Sequence, residues 1–157
     1  MTITLLAMGK TDSHHLQELV SVYENRLKHY VKFESISIPD IKKTKNLSIE
    51  QQKEKEGALI LKKVNQTDVL ILLDEKGKQY TSKDFSGYLQ KKMNSGIKNL
   101  VLAIGGPYGF SSAVHERSQG KISLSKMTFS HQMVRLFVIE QVYRAFTILR
   151  NEPYHNE

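Results

Sequence analysis

Residues 99–135 read NLVLAIGGPYGFSSAVHERSQGKISLSKMTFSHQMVR, and this stretch decides the fold. The apolar run Leu100 to Ile104 stops at Gly105 and Gly106, as a buried strand does where it enters a turn. A short helix is expected around Ser111 to Arg117. A second apolar piece, Ile122 to Leu124, breaks at Ser125 and Lys126 and passes through Met127, Thr128 and Phe129 into a helical pattern at Ser130. Two strand ends therefore open into small-residue loops close together in sequence. In an open α/β sheet, ligands sit outside the carboxyl ends of the strands, where loops leave backbone N–H and C=O groups unpaired. A small-molecule site is expected here.

Working outward, the same strand-then-helix unit repeats. Ile3 to Met8 reads as a buried strand ended by Gly9; Asp12 or Ser13 then caps a helix with Leu16, Leu19, Val20, Tyr23 and Leu27 on its apolar face. Val31 to Ile38 is a second strand, closed by Pro39, and Ile41 to Asn46 a basic loop. Ser48 with Gln51 is a capping-box signal for a helix whose first half, EQQKEKEG, reads as solvated charge and whose later turns carry Ala58, Leu59, Leu61 and Val64. Asp68 to Asp74 (DVLILLD) is apolar without alternation, a strand covered on both faces, with Glu75 to Lys78 as its exit loop. Thr81 and Asp84 begin a helix carrying Phe85, Tyr88, Leu89 and Met93, ended by Ser95 and Gly96. The β-α alternation implies one α/β domain over residues 1–157, a mostly parallel sheet flanked by helices.

The last helix, about Ser130 to Arg150, is apolar almost all round, with a narrow polar strip of Glu140, Arg144 and Thr147. Such a helix must be buried on more than one side. A sheet covers one face only, so a second copy of the chain is the expected cover for the other, giving a homodimer.

Composition bounds the function. The 157 residues suit one domain, and no span reaches the roughly 20 apolar residues of a membrane helix. Zero cysteines exclude disulfides, thiolate metal sites and a cysteine nucleophile, and agree with a cytoplasmic protein. A formal net charge of +7 favours a polyanionic partner. The positive charge overlaps the expected site: Arg117, Lys121, Lys126, Arg135, Arg144 and Arg150 face only Glu116 and Glu140 between residues 115 and 150.

Gly105, Gly106 and Gly109 around Pro107 let backbone approach a ligand, or simply make a tight turn. Their spacing is neither the dinucleotide fingerprint nor a GxxxxGK phosphate loop. The six histidines show no metal-binding spacing, so no metal is expected. His131 starts the last helix beside the site and, when neutral, can accept a proton. Arg135 and Arg144 can pin a phosphate or carboxylate; Glu140 and Arg144, four apart, equally form a structural ion pair. Tyr154 and His155 can stack on a base or form a loose tail.

The stretches ITLLAMGK (3–10), LLDEKGK (72–78), LVLAIGGPYGF (100–110) and ISLSKMTFSHQMVRLFVIEQVYRAFTILRNEPYH (122–155) resemble the ribosomal large-subunit methyltransferase H family of knotted SPOUT methyltransferases. The resemblance runs the length of the chain. It implies a C-terminal trefoil knot and methylation, with S-adenosyl-L-methionine, of N3 of a pseudouridine in 23S rRNA on the assembled ribosome. It places the cofactor on Leu73, Gly105, Leu124, Ser125, Lys126, Met127, Thr128 and Phe129. His131 is then the candidate for proton removal, and Arg144 for stabilising the imide anion or holding the nucleotide. Tyr154 and His155 match the family's tail, implicated in positioning the target. Asp74, Glu75 and Lys78 stand where they can gate the pocket.

Overall fold

Uninterrupted apolar runs need cover on both faces of a sheet, because successive side chains of a strand point to opposite sides. The computed structural model, which describes residues 1–156, supplies that cover. Its elements are β1 (Thr2–Met8), α1 (His14–Leu27), β2 (Lys32–Ile38), α2 (Ile49–Lys63), β3 (Val69–Gln79), α3 (Ser82–Asn94), β4 (Asn99–Ile104), α4 (Ser112–Arg117), β5 (Gly120–Ser123) and α5 (His131–Leu149). All strand pairs are parallel, in the order β2-β1-β4-β3-β5.

The alternation sorts the core into two layers. Ile3, Leu5, Ile71, Leu100, Leu102 and Ile104 meet side chains of α1, α3 and α5 on one face. Leu6, Met8, Leu70, Leu72, Val101 and Ala103 meet Ile60 of α2 and Val114 of α4 on the other. Caps fall where small polar residues announce them: Ser13, Ser48, Thr81, Ser111 and Ser130 each accept a backbone N–H of the first helical turn. Ser48 and Gln51 form the full capping box.

Four expectations are corrected. β3 does not stop at Asp74. It resumes and pairs Lys78 with Ile122 and Gln79 with Ser123, while Leu73 is also opposite Ile122. Residues 74–77 thus bulge out of the strand, and Gly77 is needed there because a Cβ would stand 2.5 Å from the Ile122 backbone.

On α2 the inward face is Glu56, Gly57 and Ile60, whereas Ala58 and Leu59 are exposed. The close approach of α4 at Ser111, which requires a glycine at 57, sets that rotation. On α1, Leu19 faces solvent, although its spacing places it on the apolar face.

The apolar girth of α5 is covered in part within the chain. It packs on the sheet and lies against both α1 and α3, with Tyr143 against Tyr23 and Tyr30, and Gln141 accepting from Ser82 at 2.8 Å. Thr147, assigned to a polar strip, is fully buried, its hydroxyl donating to the Arg144 carbonyl. Leu136, Phe137 and Ile148 stay only half-buried and Met133 is exposed, so the cover within the chain is incomplete.

Candidate active site

Leu73 pairs with Ile104 on one side and with Ile122 on the other, so β3, β4 and β5 open at a single level of the sheet. Beyond these three exits lies a cavity of about 670 Å³. It is formed by the 74–76 bulge, the glycine loop and the segment from Leu124 to His131. Of the eight residues assigned to a cofactor from the sequence, Leu73, Gly105, Leu124, Ser125, Met127, Thr128 and Phe129 line it. Lys126 is exposed and is not on its wall.

The walls are shaped locally. Gly109 donates its N–H to Gly106 at 3.1 Å, closing a turn with Pro107 and Tyr108 at the corners, and Gly109 takes φ +80°. A Cβ at Gly105 would stand 3.2 Å from the Gly109 backbone. After β5, the Ser123 hydroxyl donates to the Ser125 carbonyl at 2.9 Å, and Ser125 Oγ accepts from the Met127 N–H at 3.0 Å. Phe129 turns back against Phe137, ring centroids 4.9 Å apart. A second, more enclosed space of about 290 Å³ shares Leu73, Leu124 and Phe129 and runs between the sheet, α3 and α5.

The four candidate catalytic residues fall into two groups. His131 lines the cavity at the start of α5. Arg144, Tyr154 and His155 gather near its other end. Arg144 donates to Glu140 Oε1 at 2.6 Å through Nη2 and 3.1 Å through Nε. Its guanidinium lies 4.7 Å over the Tyr154 ring, with His155 Nδ1 3.3 Å from Nη1. Tyr154 also donates to Glu140 at 3.0 Å. The hydrogen bond to Glu140 holds the Arg144 pKa above its ordinary value, and burial with the Tyr23 and Glu140 bonds raises that of Tyr154. The tail is docked, not loose. At a rise of about 1.5 Å per residue, His131 and Arg144 are about 20 Å apart along one helix.

Arg135 is not available to a phosphate. It is 3% exposed, and it donates to the Met8 carbonyl at 2.6 Å and to Thr11 Oγ1 at 3.1 Å. Among the described residues no cluster of three His, Asp or Glu side chains could hold a metal ion, and no helix is long and apolar enough to cross a membrane.

Residues 1–155 match the family described as "Predicted SPOUT methyltransferase". The chain is 62% identical over 156 residues to the ribosomal RNA large subunit methyltransferase H of Christiangramia forsetii, covering 99% of each chain. It is 64% identical over 157 residues to the protein of that name from Flavobacterium johnsoniae, and 55% to that from Porphyromonas gingivalis, each covered in full. The chain belongs to the SPOUT methyltransferase family, in the ribosomal large-subunit methyltransferase H group.

In this SPOUT methyltransferase the cavity also has a charged wall, of which sequence reading named Asp74, Glu75 and Lys121 but missed Lys53, Lys76 and His115. Lys53, Lys76, Lys121 and His115 line it together with Asp74 and Glu75. His115 Nε2 is 4.0 Å from Asp74 Oδ2. Burial, and then Lys121, push the His115 pKa below its ordinary value; Asp74 opposes them, and Lys53 and Lys76 add to the lowering. No local pattern marks the basic members, because Lys53, Lys76, His115 and Lys121 come one each from α2, the β3 bulge, α4 and β5. Glu56, placed in a solvated run by its neighbours, is 5% exposed beneath the glycine loop.

Proposed function

We propose that this chain transfers a methyl group from S-adenosylmethionine to N3 of a pseudouridine in 23S rRNA, acting on the assembled ribosome in the cytoplasm as a homodimer. The observation that carries this reading is the cavity at the three strand exits, walled by glycine-loop backbone and by residues 124–129. Its volume suits a small ligand, and it sets apolar side chains such as Leu73, Ile104, Leu124 and Phe129 beside charged ones such as Lys121 and Asp74, a mixed lining that fits a ligand with both an adenosyl moiety and charged ends. The printed names of the relatives point to ribosomal RNA as the substrate. The reading includes the family's trefoil knot, with the segment after β5 drawn through the loops that leave β3 and β4.

S-adenosylmethionine, when bound, supplies a methyl group on a positively charged sulfur, already a good leaving group. Leu73, Gly105, Leu124, Ser125, Met127, Thr128 and Phe129 would hold it. What remains for the chain is alignment and removal of the N3 proton, since the nitrogen attacks as its lone pair is freed. His131 on the cavity wall accepts that proton. Arg144 stabilises the negative charge that develops on the imide, and Tyr154 and His155 position the nucleotide. Because Arg144 and the tail lie about 20 Å from His131 in one protomer, a second copy brings its own Arg144 group to the first copy's cavity.

The test is incubation of the protein with ribosomes that lack the modification and methyl-labelled S-adenosylmethionine, followed by mass spectrometry of digested 23S rRNA. Label on N3 of one pseudouridine, dependent on intact ribosomes, is the expected result. Tight ribosome binding with no methyl transfer would replace the enzyme by a ribosome-binding protein of the same fold.

A further inference from the structure

Glu56 is a buried carboxyl group that the proposed reaction does not use. It projects from α2 at 5% exposure, and one of its oxygens, Oε1, accepts a hydrogen bond from Gln52 Nε2 at 2.9 Å. The other, Oε2, is buried with no hydrogen-bond partner. None of the ion pairs among the described residues reaches it; Lys53, one turn away, is taken by Glu50 at 3.2 Å. A carboxylate in this position is costly unless an opposite charge is provided.

Its place is specific. A Cβ built on Gly106 would fall on the Glu56 carboxylate, 2.9 Å from Cδ. The carboxylate thus fills the side-chain volume of a loop residue whose backbone is the wall of the cavity. It lies one backbone thickness behind that wall, in low-dielectric surroundings where a charge acts more strongly than in water.

We propose that Glu56 is the counter-charge for the sulfonium of the methyl donor, and that it makes the cavity prefer S-adenosylmethionine to S-adenosylhomocysteine. This rests on the methyl-donor reading above. The donor carries a positive sulfur; the product carries a neutral thioether, its methyl group having gone to the nitrogen with the N3 proton passing to a base. Glu56 therefore stabilises the loaded site and loses its partner at turnover, which favours product release. It acts through the glycine loop and touches no reacting atom, so it is a positioning residue and sets ligand preference. The amino group of the methionyl part is common to donor and product, so it cannot account for a preference between them.

Calorimetric titration of the full-length protein with S-adenosylmethionine and, separately, with S-adenosylhomocysteine tests this for wild type, Glu56→Gln and Gln52→Lys. Glu56→Gln keeps the shape and removes the charge; Gln52→Lys leaves the carboxylate and gives it a cation four residues away on the same helix. Each variant is expected to weaken S-adenosylmethionine binding by at least roughly tenfold and S-adenosylhomocysteine binding by less than about twofold. Equal weakening of both ligands would show that Glu56 only shapes the loop or meets the amino group, and would overturn the proposal, as would no change in either. Gln52→Lys decides the matter if Glu56→Gln fails to fold. A wild type that binds neither ligand would remove the methyl-donor reading, and this inference with it.

Discussion

Arg144 sets its guanidinium 4.7 Å over the ring of Tyr154 while its Nη2 donates to Glu140. The polar strip of α5 is therefore spent on fixing the last residues of the described chain to the helix. Tyr30 adds a second tie, donating to Glu152 Oε2, and Tyr23 shares a hydrogen bond with Tyr154 at 3.3 Å. A tail fastened in this way presents His155 in a fixed place, as a group that positions a nucleotide must be presented.

Arg144→Ala removes both the ion pair and the stacked cation. Because the pair is partly exposed, the cost in global stability is about 1 kcal/mol. Amide hydrogen exchange over residues 152–156 is expected to rise at least tenfold. Methyl transfer to ribosomes should fall roughly a hundredfold, whereas affinity for S-adenosylmethionine, assigned to a cavity whose walls do not include Arg144, should stay as it is. Parallel loss of cofactor affinity would count against the two-group arrangement.

Gly105→Val places branched carbons against Gly109, where even a Cβ would stand 3.2 Å from backbone. The cavity wall must move or the cavity must fill. Calorimetry should show loss of S-adenosylmethionine binding by more than about tenfold with an unchanged circular dichroism spectrum, an effect of the size expected for a blocked pocket.

Arg135→Met keeps the length of the side chain but strands the Met8 carbonyl, which receives the guanidinium at 2.6 Å in the buried interior. Leaving such a group unsatisfied costs about 1–3 kcal/mol. Urea denaturation should therefore show a lower midpoint at constant slope. A variant as stable as wild type would mean that the β1 exit finds another donor.

The pH dependence near neutrality follows from His115. Burial and the neighbouring lysines lower its pKa in the folded state below the ordinary 6.5. Below that value the unfolded chain binds a proton that the folded chain resists. This contribution to stability is thus complete above pH 6.5 and is lost as pH falls through the lowered value. His115→Gln should flatten the fall in melting temperature on that acid side and leave the neutral plateau unchanged; equal acid sensitivity in the variant would place the titration elsewhere.

Much of this architecture is legible in the residues themselves. The runs 3–8, 68–74 and 99–104 had to be strands covered on both faces, and Ser48 with Gln51, Thr81 with Asp84, and Ser130 had to start helices, because each signal acts within a few residues of itself. The position of the cavity followed from the same local logic, since buried strands that end at glycine and serine open there into loops. The bulge at 74–77 was not legible. Glu75, Lys76, Gly77 and Lys78 look like a loop until Ile122 pairs with both Leu73 and Lys78.

What the sequence determined by itself is the β-α order, the helix caps, the absence of cysteine chemistry and the place of the glycine loop. All of these depend on interactions between near neighbours. Only the tertiary structure decided the fate of the charged residues. Arg135 reads as a cation able to pin a phosphate or carboxylate until it meets the Met8 carbonyl, and Arg144 reads equally as such a ligand or as the partner of Glu140 until the fold sets it on Glu140 and Tyr154. Glu56 reads as solvated until Gly106 is laid over it. A charge takes its role from what desolvates it and what it faces, and here those partners come from other elements of the fold.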